Sequence, residues 1–330
     1  MIITKTPLRI SLVGGGTDLP EFYKQYGGAV VSFAIDKYIY VMLNKKFDGG
    51  VRVSYSVTEN VNEPEMLKHD LVREALSQFE TNGVEVVSVA DIPGGGTGLG
   101  SSSSFSVGLI LALNKYLGNP TNRHPCVLAD SAYYLERILC GHPVGKQDHY
   151  AAAYGGLNFY QFNKDGTVTT IPIHLNETNF NMLQFNMLLF WVGKTRHADR
   201  ILKDQARGLK DDPMVYEDAM AMKNLAVGLH SDLQNNNIAS VGTFIGLNWQ
   251  LKKNLALGIA PKEIKIYCDK AMEAGASGIK LCGAGGSGFL LAYAPYEYHN
   301  DIEKAVGLRR VPFKICNEGA QVIYDDGGRA

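Results

Sequence analysis

The chain has 330 residues, 45% of them hydrophobic and 20% charged; this is an ordinary globular composition, neither disordered nor fibrous, at a length that calls for two domains or one large α/β unit. Lys and Arg number 32 against 33 Asp and Glu, a formal net charge of −1, so no overall field draws the chain to nucleic acid or anionic lipid, and no apolar run approaches membrane-spanning length. The five cysteines, Cys126, Cys140, Cys268, Cys282 and Cys316, are an odd number without CxxC spacing, which argues against a zinc site and a disulfide framework; with no signal-peptide pattern at Met1 to Thr6, a cytoplasmic protein is expected.

In chain order, the first sixty residues read as strands, with β-branched and aromatic runs at Ile2–Thr4, Leu8–Val13, Ala29–Ile35, Tyr38–Leu43 and Val51–Tyr55. Between them Asp18-Leu19-Pro20-Glu21 predicts a helix start with Asp18 as N-cap, leading into Phe22–Tyr26. Helices follow at about Glu65–Gln78, Ser102–Leu117 and Cys126–Leu139, with a strand, Val86–Ala90, before the second. That second helix is apolar on nearly every side and is expected in the core of the first domain. Strand patterns return from Gly155 to Ile173, and Asn186–Val192 is a strong apolar strand. The polar stretch Leu175–Phe180 marks the boundary, dividing the chain into residues 1–178 and 179–330. Helices near Met214–Leu233, Ile238–Leu257 and Pro261–Ala274 follow, then two strands around a glycine cluster, a helix near Tyr296–Val306 and a closing strand, Gln321–Tyr324. The order predicts an α+β fold.

Glycine is in excess, 36 of 330 residues, and the excess gathers at Gly14–Gly16, Gly94–Gly100 and Gly283–Gly288, where backbone must turn tightly or approach a ligand closely. The middle cluster, Pro93-Gly94-Gly95-Gly96-Thr97-Gly98-Leu99-Gly100-Ser101-Ser102-Ser103-Ser104, runs from a strand straight into the apolar helix. Glycines let consecutive N–H groups converge, and a helix N-terminus adds partial positive charge and free donors. The result is a phosphate cradle with hydroxyls, one of which can ligate Mg2+, the hard cation that accompanies nucleoside triphosphates; a flexible linker does not open onto an apolar helix. The last cluster, Lys280-Leu281-Cys282-Gly283-Ala284-Gly285-Gly286-Ser287-Gly288-Phe289, holds a formal GxGxxG, but Phe289–Tyr293 is a strand pattern where dinucleotide binding needs a helix. Such a loop lets another segment or a ligand phosphate lie against it, or is a plain tight hairpin. Val192-Gly193-Lys194-Thr195 ends like a P-loop but has Leu188 where that motif needs glycine, and no protein-kinase triplet occurs.

The first cluster, Thr6-Pro7-Leu8-Arg9-Ile10-Ser11-Leu12-Val13-Gly14-Gly15-Gly16-Thr17-Asp18, places a strand with one arginine before a glycine turn and an acid. In this order and spacing the three segments resemble the three motifs of the GHMP small-molecule kinases (galactokinase, homoserine, mevalonate and phosphomevalonate kinases), and they cover the chain from end to end. Gly14-Gly15-Gly16-Thr17-Asp18-Leu19-Pro20, Tyr26-Gly27-Gly28-Ala29-Val30 and Ile35-Asp36-Lys37-Tyr38 are most similar to the D-glycero-D-manno-heptose 7-phosphate kinases, with fucokinase-like sugar kinases next.

The resemblance implies a two-domain GHMP kinase fold, a ribosomal-protein-S5-like N-terminal domain followed by a ferredoxin-like one. It implies transfer of the γ-phosphate of ATP, with Mg2+, to a small-molecule sugar phosphate, here the anomeric hydroxyl of the heptose 7-phosphate, giving the 1,7-bisphosphate. Asp148, in Gly145-Lys146-Gln147-Asp148, would be the base that takes the hydroxyl proton, and Arg9 would steady it and the charge on the transferring phosphoryl. Read alone, Asp148 has a helix N-cap for the Ala151–Ala153 segment as its alternative. Gly94, Gly95, Gly96, Gly98, Gly100, Ser101, Ser102 and Ser103 would bind the nucleotide, and Ser102 and Glu136 the metal, though the run of serines leaves the choice of hydroxyl open. Glu136 beside Arg137 also reads as a solvated surface pair. Gly16, Thr17, Asp18, Arg196, Gly285 and Gly286 would face the substrate. Arg196 belongs to a basic stretch with Lys194, His197 and Arg200, suited to a substrate phosphate with Lys146 near the base, or else a solvated helix end. A kinase of a free sugar such as L-fucose and a non-catalytic sugar or nucleotide sensor are the competing functions. Neither nucleic acid nor a membrane is an expected partner, and nothing in the sequence sets an oligomeric state.

Overall fold

A computed structural model describes residues 1–93, 96–119, 124–193 and 199–327. The chain opens with β1 (Ile2–Val13), α1 (Pro20–Tyr26) and β2 (Gly28–Lys45). Each strand joins two shorter expected ones, because the pairing shifts register at Pro7/Leu8 and at Ser11/Val13 instead of ending. A bulge tolerates the N–H that proline lacks. Then come β3 (Val51–Ser54), β4 (Thr58–Val61), α2 (Asp70–Gln78), β5 (Val84–Ala90), α3 (Ser101–Tyr116), α4 (Pro125–Tyr133), α5 (Gln147–Tyr154), β6 (Leu157–Phe162) and β7 (Val168–Pro172). The second half holds α6 (Glu177–Phe185), β8 (Met187–Trp191), α7 (Asp199–Asp211), α8 (Pro213–Gln234), α9 (Val241–Lys252), α10 (Lys262–Glu273), β9 (Gly278–Leu281), β10 (Phe289–Tyr293), α11 (His299–Val306), β11 (Arg309–Arg310) and β12 (Gln321–Asp325).

Two sheets organise these elements. The first runs β12-β1-β2-β5-β3-β4, with β6 and β7 added through β2, and α3 packs on β1 and β2. Ser103 to Asn114 of α3 are all buried, as an all-round apolar helix requires. The second sheet is antiparallel in the order β11-β8-β10-β9. In chain order β8 and β9 are joined by helices, β9 and β10 by a hairpin, and β10 and β11 by α11, which is the split β-α-β arrangement of a ferredoxin-like domain.

The stretch expected to part the two halves is no bare linker, since the Asn176 side chain caps α6 by accepting from the Asn179 N–H at 2.8 Å. The chain also crosses back at its end. β12 pairs with β1 from Ile2↔Asp325 to Lys5↔Gln321, so a strand of the second half completes the first sheet. Ala226, Leu229 and Leu233 of α8 join the core of the first sheet as well. The two halves thus share a packed seam, and the end of β1, the start of α3, the start of α5 and the β9–β10 loop converge along it.

Candidate active site

The geometry of the loop expected to hold phosphates turns on Gly98 and Gly100, whose φ of +80° and +78° lie in the left-handed region that favours glycine. A Cβ on Gly98 would stand 2.4 Å from the Cys282 carbonyl oxygen, one on Gly283 2.4 Å from the Gly98 Cα, and one on Gly288 2.2 Å from the Thr97 oxygen. The last glycine cluster therefore lies backbone to backbone against the middle one and braces it. The first turn of α3 leaves backbone donors unused within the helix, and it opens on a cavity of about 340 Å³.

The four serines take four different tasks. Ser101 Oγ lies 3.2 Å from Thr97 Oγ1, Ser104 donates to the Pro7 carbonyl at 2.9 Å, and Ser102 and Ser103 donate to Glu136 at 2.5 and 2.9 Å. Ser102 is exposed to the cavity, whereas Ser103 is buried. Glu136 lies in a π-helical turn, Tyr134–Leu139, that continues α4; such turns recur at functional sites. The turn aims Glu136 inward to full burial and turns Arg137 out to Glu21 at 2.7 Å. The surface-pair reading of Glu136 is thereby corrected. His149 Nε2 touches the carboxylate at 2.7 Å and His142 Nδ1 approaches at 3.8 Å. Burial alone would raise the Glu136 pKa, but hydrogen bonding from His142, His149 and Ser102 outweighs it and holds the acid well below the usual carboxylate range. His142, bonded to Asp70 at 2.7 Å and near Glu136, is pushed up to about 10.

Arg9, on β1 and 4% exposed, grips Asp148 in the first turn of α5 by a two-pronged ion pair and gives its third contact to the Gly98 carbonyl. The capping reading of Asp148 fails, because the residue before α5 is Lys146 and no side chain caps it. Asp18 does not cap α1 either; that place falls to Leu19. Its carboxylate accepts from Gly16 N–H, Gln147 N–H and Gln147 Nε2 at 2.9, 3.1 and 3.2 Å. Burial, then the neighbouring Asp148 charge, push its carboxyl above the ordinary range. Gly145 is needed at its place because a Cβ there would lie 2.0 Å from Asp18 Oδ2.

Arg9, Gly16, Asp18, Gly96, Gly98, Gly100, Ser101, Ser102, Ser103, Glu136 and Asp148 line this one cavity. Other expected residues do not. Thr17 is buried and ties its hydroxyl to the Gly14 and Ala29 carbonyls, while Gly285 and Gly286 pack on Ile259; Gly283 and Ala284 line the cavity in their stead. Lys146 turns away to the Gly166 carbonyl and Asp130. Arg200 is exposed on the first turn of α7. Gly94, Gly95, Lys194, Arg196 and His197 lie outside the described residues.

Two buried lysines on the cavity wall carry no local sequence signal. Lys252 of α9 donates to the Gly15 carbonyl at 2.9 Å and to Gln205 Oε1 at 3.4 Å, and Lys280 of β9 donates to the Ser11 and Leu12 carbonyls at 2.9 and 3.1 Å. Burial pushes each ammonium down to about 8. Gly14 N–H also donates to Asn248 of α9 at 2.9 Å, so the second half of the chain holds the first glycine turn through Asn248 and Lys252 and the end of β1 before it through Lys280.

A magnesium nucleotide fits what is present. Among the described residues no group of three or more His, Cys, Asp and Glu side chains could hold a metal by itself, but Mg2+ usually takes one or two protein oxygens and completes its shell with phosphates and water. Ser102 Oγ and the Glu136 carboxylate, 2.5 Å apart beside the helix N-terminus, are oxygen donors of that hard kind.

Comparison with known proteins gives the site its setting. Residues 66–156 match the family model of the GHMP kinases N terminal domain and residues 229–306 that of the GHMP kinases C terminal domain, together about half of the chain. The chain is 28% identical to the D-glycero-alpha-D-manno-heptose 7-phosphate kinase of Campylobacter jejuni over 92% of both chains. It is 25% identical to the L-fucokinase/L-fucose-1-P guanylyltransferase of Bacteroides fragilis over 93% of this chain and 35% of that one. In three dimensions it is similar to a D-glycero-D-manno-heptose 1-phosphate kinase from Bacteroides thetaiotaomicron, with a TM-score of 0.78 and 22% identity over 98% of this chain and all of the other. No helix among the described residues is long and apolar enough to cross a membrane.

Proposed function

The chain belongs to the GHMP kinase family and is a phosphotransferase, and from that premise we propose that it is a cytoplasmic sugar kinase, moving the γ-phosphate of ATP to the anomeric hydroxyl of D-glycero-D-manno-heptose 7-phosphate. The observation that carries this reading is the Arg9–Asp148 pair, set on the same cavity as the α3 N-terminus. Asp148 takes the proton of the attacking hydroxyl, which sharpens the oxygen as a nucleophile. Arg9 fixes the carboxylate's orientation and adds positive charge where the phosphoryl transfers. The backbone donors of the Gly96–Ser103 segment cradle the nucleotide phosphates. Ser102 and Glu136 would hold Mg2+, which would supply neutralisation of phosphate charge during the transfer. Asp18 takes a substrate hydroxyl, and Arg196, three residues before α7, takes the 7-phosphate.

The likeness to the Campylobacter enzyme along 92% of both chains supports the choice of acceptor. The test is ADP release from ATP and Mg2+ over a panel of sugar phosphates and free sugars, with phosphorus NMR of the product. Turnover confined to the heptose 7-phosphate, with a new anomeric phosphate, is expected. Equal turnover of free heptose or L-fucose replaces the acceptor, and nucleotide binding without turnover on any of them makes the protein a sensor.

A further inference from the structure

The cavity wall built from α7, α9 and the first glycine turn carries hydrogen-bonding capacity that the protein does not use. Gln205 is fully buried on α7, and its Nε2 has no partner. Lys252 beside it, 7% exposed, spends two of its three N–H bonds on the Gly15 carbonyl and Gln205 Oε1. An ammonium only donates, so Gln205 must turn its oxygen to Lys252 and its NH2 the other way. The acceptors left over come from the first half of the chain. Asp18 is a carboxylate, and Gln147, having given its Nε2 to Asp18 Oδ1, keeps a buried Oε1 without a partner. All four residues line the same cavity.

Buried polar atoms are normally paired, so surplus donors facing surplus acceptors fit a ligand group that both gives and takes hydrogen bonds. A hydroxyl does so. A phosphate or carboxylate would satisfy Gln205 and Lys252 but would meet repulsion from Asp18 and nothing useful at Gln147. We propose that Gln205 and Lys252 are specificity-determining residues for the acceptor, donating to one or two neighbouring ring hydroxyls that in turn donate to Asp18 and Gln147. This assignment rests on the reading of the protein as a sugar kinase and deepens it: the wall reads the hydroxyl pattern of the sugar and leaves its phosphate to other residues.

Steady-state kinetics of wild type and Gln205→Leu, with the best sugar acceptor and its monodeoxy analogues, read the assignment. For wild type, removal of one particular hydroxyl raises KM about tenfold. Gln205→Leu raises KM for the parent sugar by a similar factor and no longer distinguishes that deoxy analogue, while KM for ATP stays within about twofold. An unchanged parent KM, or a deoxy penalty that survives the substitution at every position, overturns the proposal. If Gln205→Leu does not fold, Gln205→Glu keeps the volume and loses the donors, and calorimetry of the parent sugar must then register the loss; unchanged affinity overturns the proposal. A wild-type protein that turns over no sugar overturns the kinase reading and this assignment together, an outcome distinct from a working kinase indifferent to residue 205.

Discussion

The Arg9 guanidinium holds both oxygens of Asp148, Nε at 2.7 Å and Nη2 at 2.5 Å, while Nη1 reaches the Gly98 carbonyl at 2.7 Å. One side chain thus sets the distance between the expected base and the loop expected to hold the phosphates. Asp148→Asn preserves shape but cannot take a proton, so turnover falls by about 10²–10⁴ while the chain still binds ATP. Turnover at the wild-type rate in the purified variant would reduce Asp148 to a structural partner of Arg9.

Ser102 faces the cavity with its hydroxyl on Glu136, whereas the backbone cradle does not depend on that hydroxyl. Ser102→Ala is expected to weaken binding of Mg·ATP far more than that of metal-free ATP. Calorimetry with and without Mg2+ makes the comparison. Equal losses in both titrations would take the metal away from Ser102.

The contact between glycine loops gives a test in which no polar group changes. Gly283 has φ +71°, and a Cβ there meets Gly98 backbone at 2.4 Å; Gly307 has φ +66° with nothing within 4 Å. Left-handed φ costs a residue with a side chain about 1–2 kcal/mol, so either alanine lowers the melting temperature by a few degrees, about 2–4 °C per kcal/mol. Only Gly283→Ala displaces the phosphate loop, and only it should raise KM for ATP. A similar rise in Gly307→Ala would make the effect one of general stability.

Much of this site was legible because its chemistry is written in short runs. A glycine loop before an apolar helix, an arginine on the strand before the first glycine turn and Gly-x-x-Asp each lie within a few residues, and the family resemblance that these runs carry is what assigned roles to Arg9, Ser102, Glu136 and Asp148. The alternatives at Glu136 and Asp148 needed the structure, since neither a π-helical turn that re-aims an acid nor an ion pair across 139 residues leaves a local pattern. Lys252 and Gln205 are single polar residues on separate helices, 47 positions apart, and nothing near either in sequence distinguishes it from a solvated neighbour. The long β1 and β2 were hidden for a related reason, because Pro7 looks like a strand end until a bulge absorbs it.

Arg196 is the proposed contact for the substrate's own phosphate, a dianion that a guanidinium binds in two-pronged fashion. Arg196→Ala is expected to raise KM for heptose 7-phosphate about 10- to 100-fold, the loss of one charged hydrogen bond or two, and to leave KM for ATP nearly alone. A loss of ATP affinity instead would move Arg196 to the nucleotide and leave the 7-phosphate without an assigned cation.

Lys252 links acceptor recognition to stability. Burial brings its ammonium from an ordinary 10.5 down to about 8, so between those values the unfolded chain holds a proton that the folded chain has lost. Unfolding free energy therefore rises with pH across that window; the cost of the buried charge is full below about pH 8 and fades toward 10.5. Lys252→Met removes this cost, and urea unfolding should find the variant more stable than wild type at pH 7, with an advantage that shrinks by pH 10. Lys280, which titrates in the same range, stands in both chains and largely cancels in the comparison. The same substitution deletes a donor that the acceptor sugar needs, so the stabilised variant should bind sugar more weakly, the usual opposition where a site keeps a buried charge for its ligand. A stability difference that does not change with pH would mean that Lys252 carries no buried charge in the folded protein.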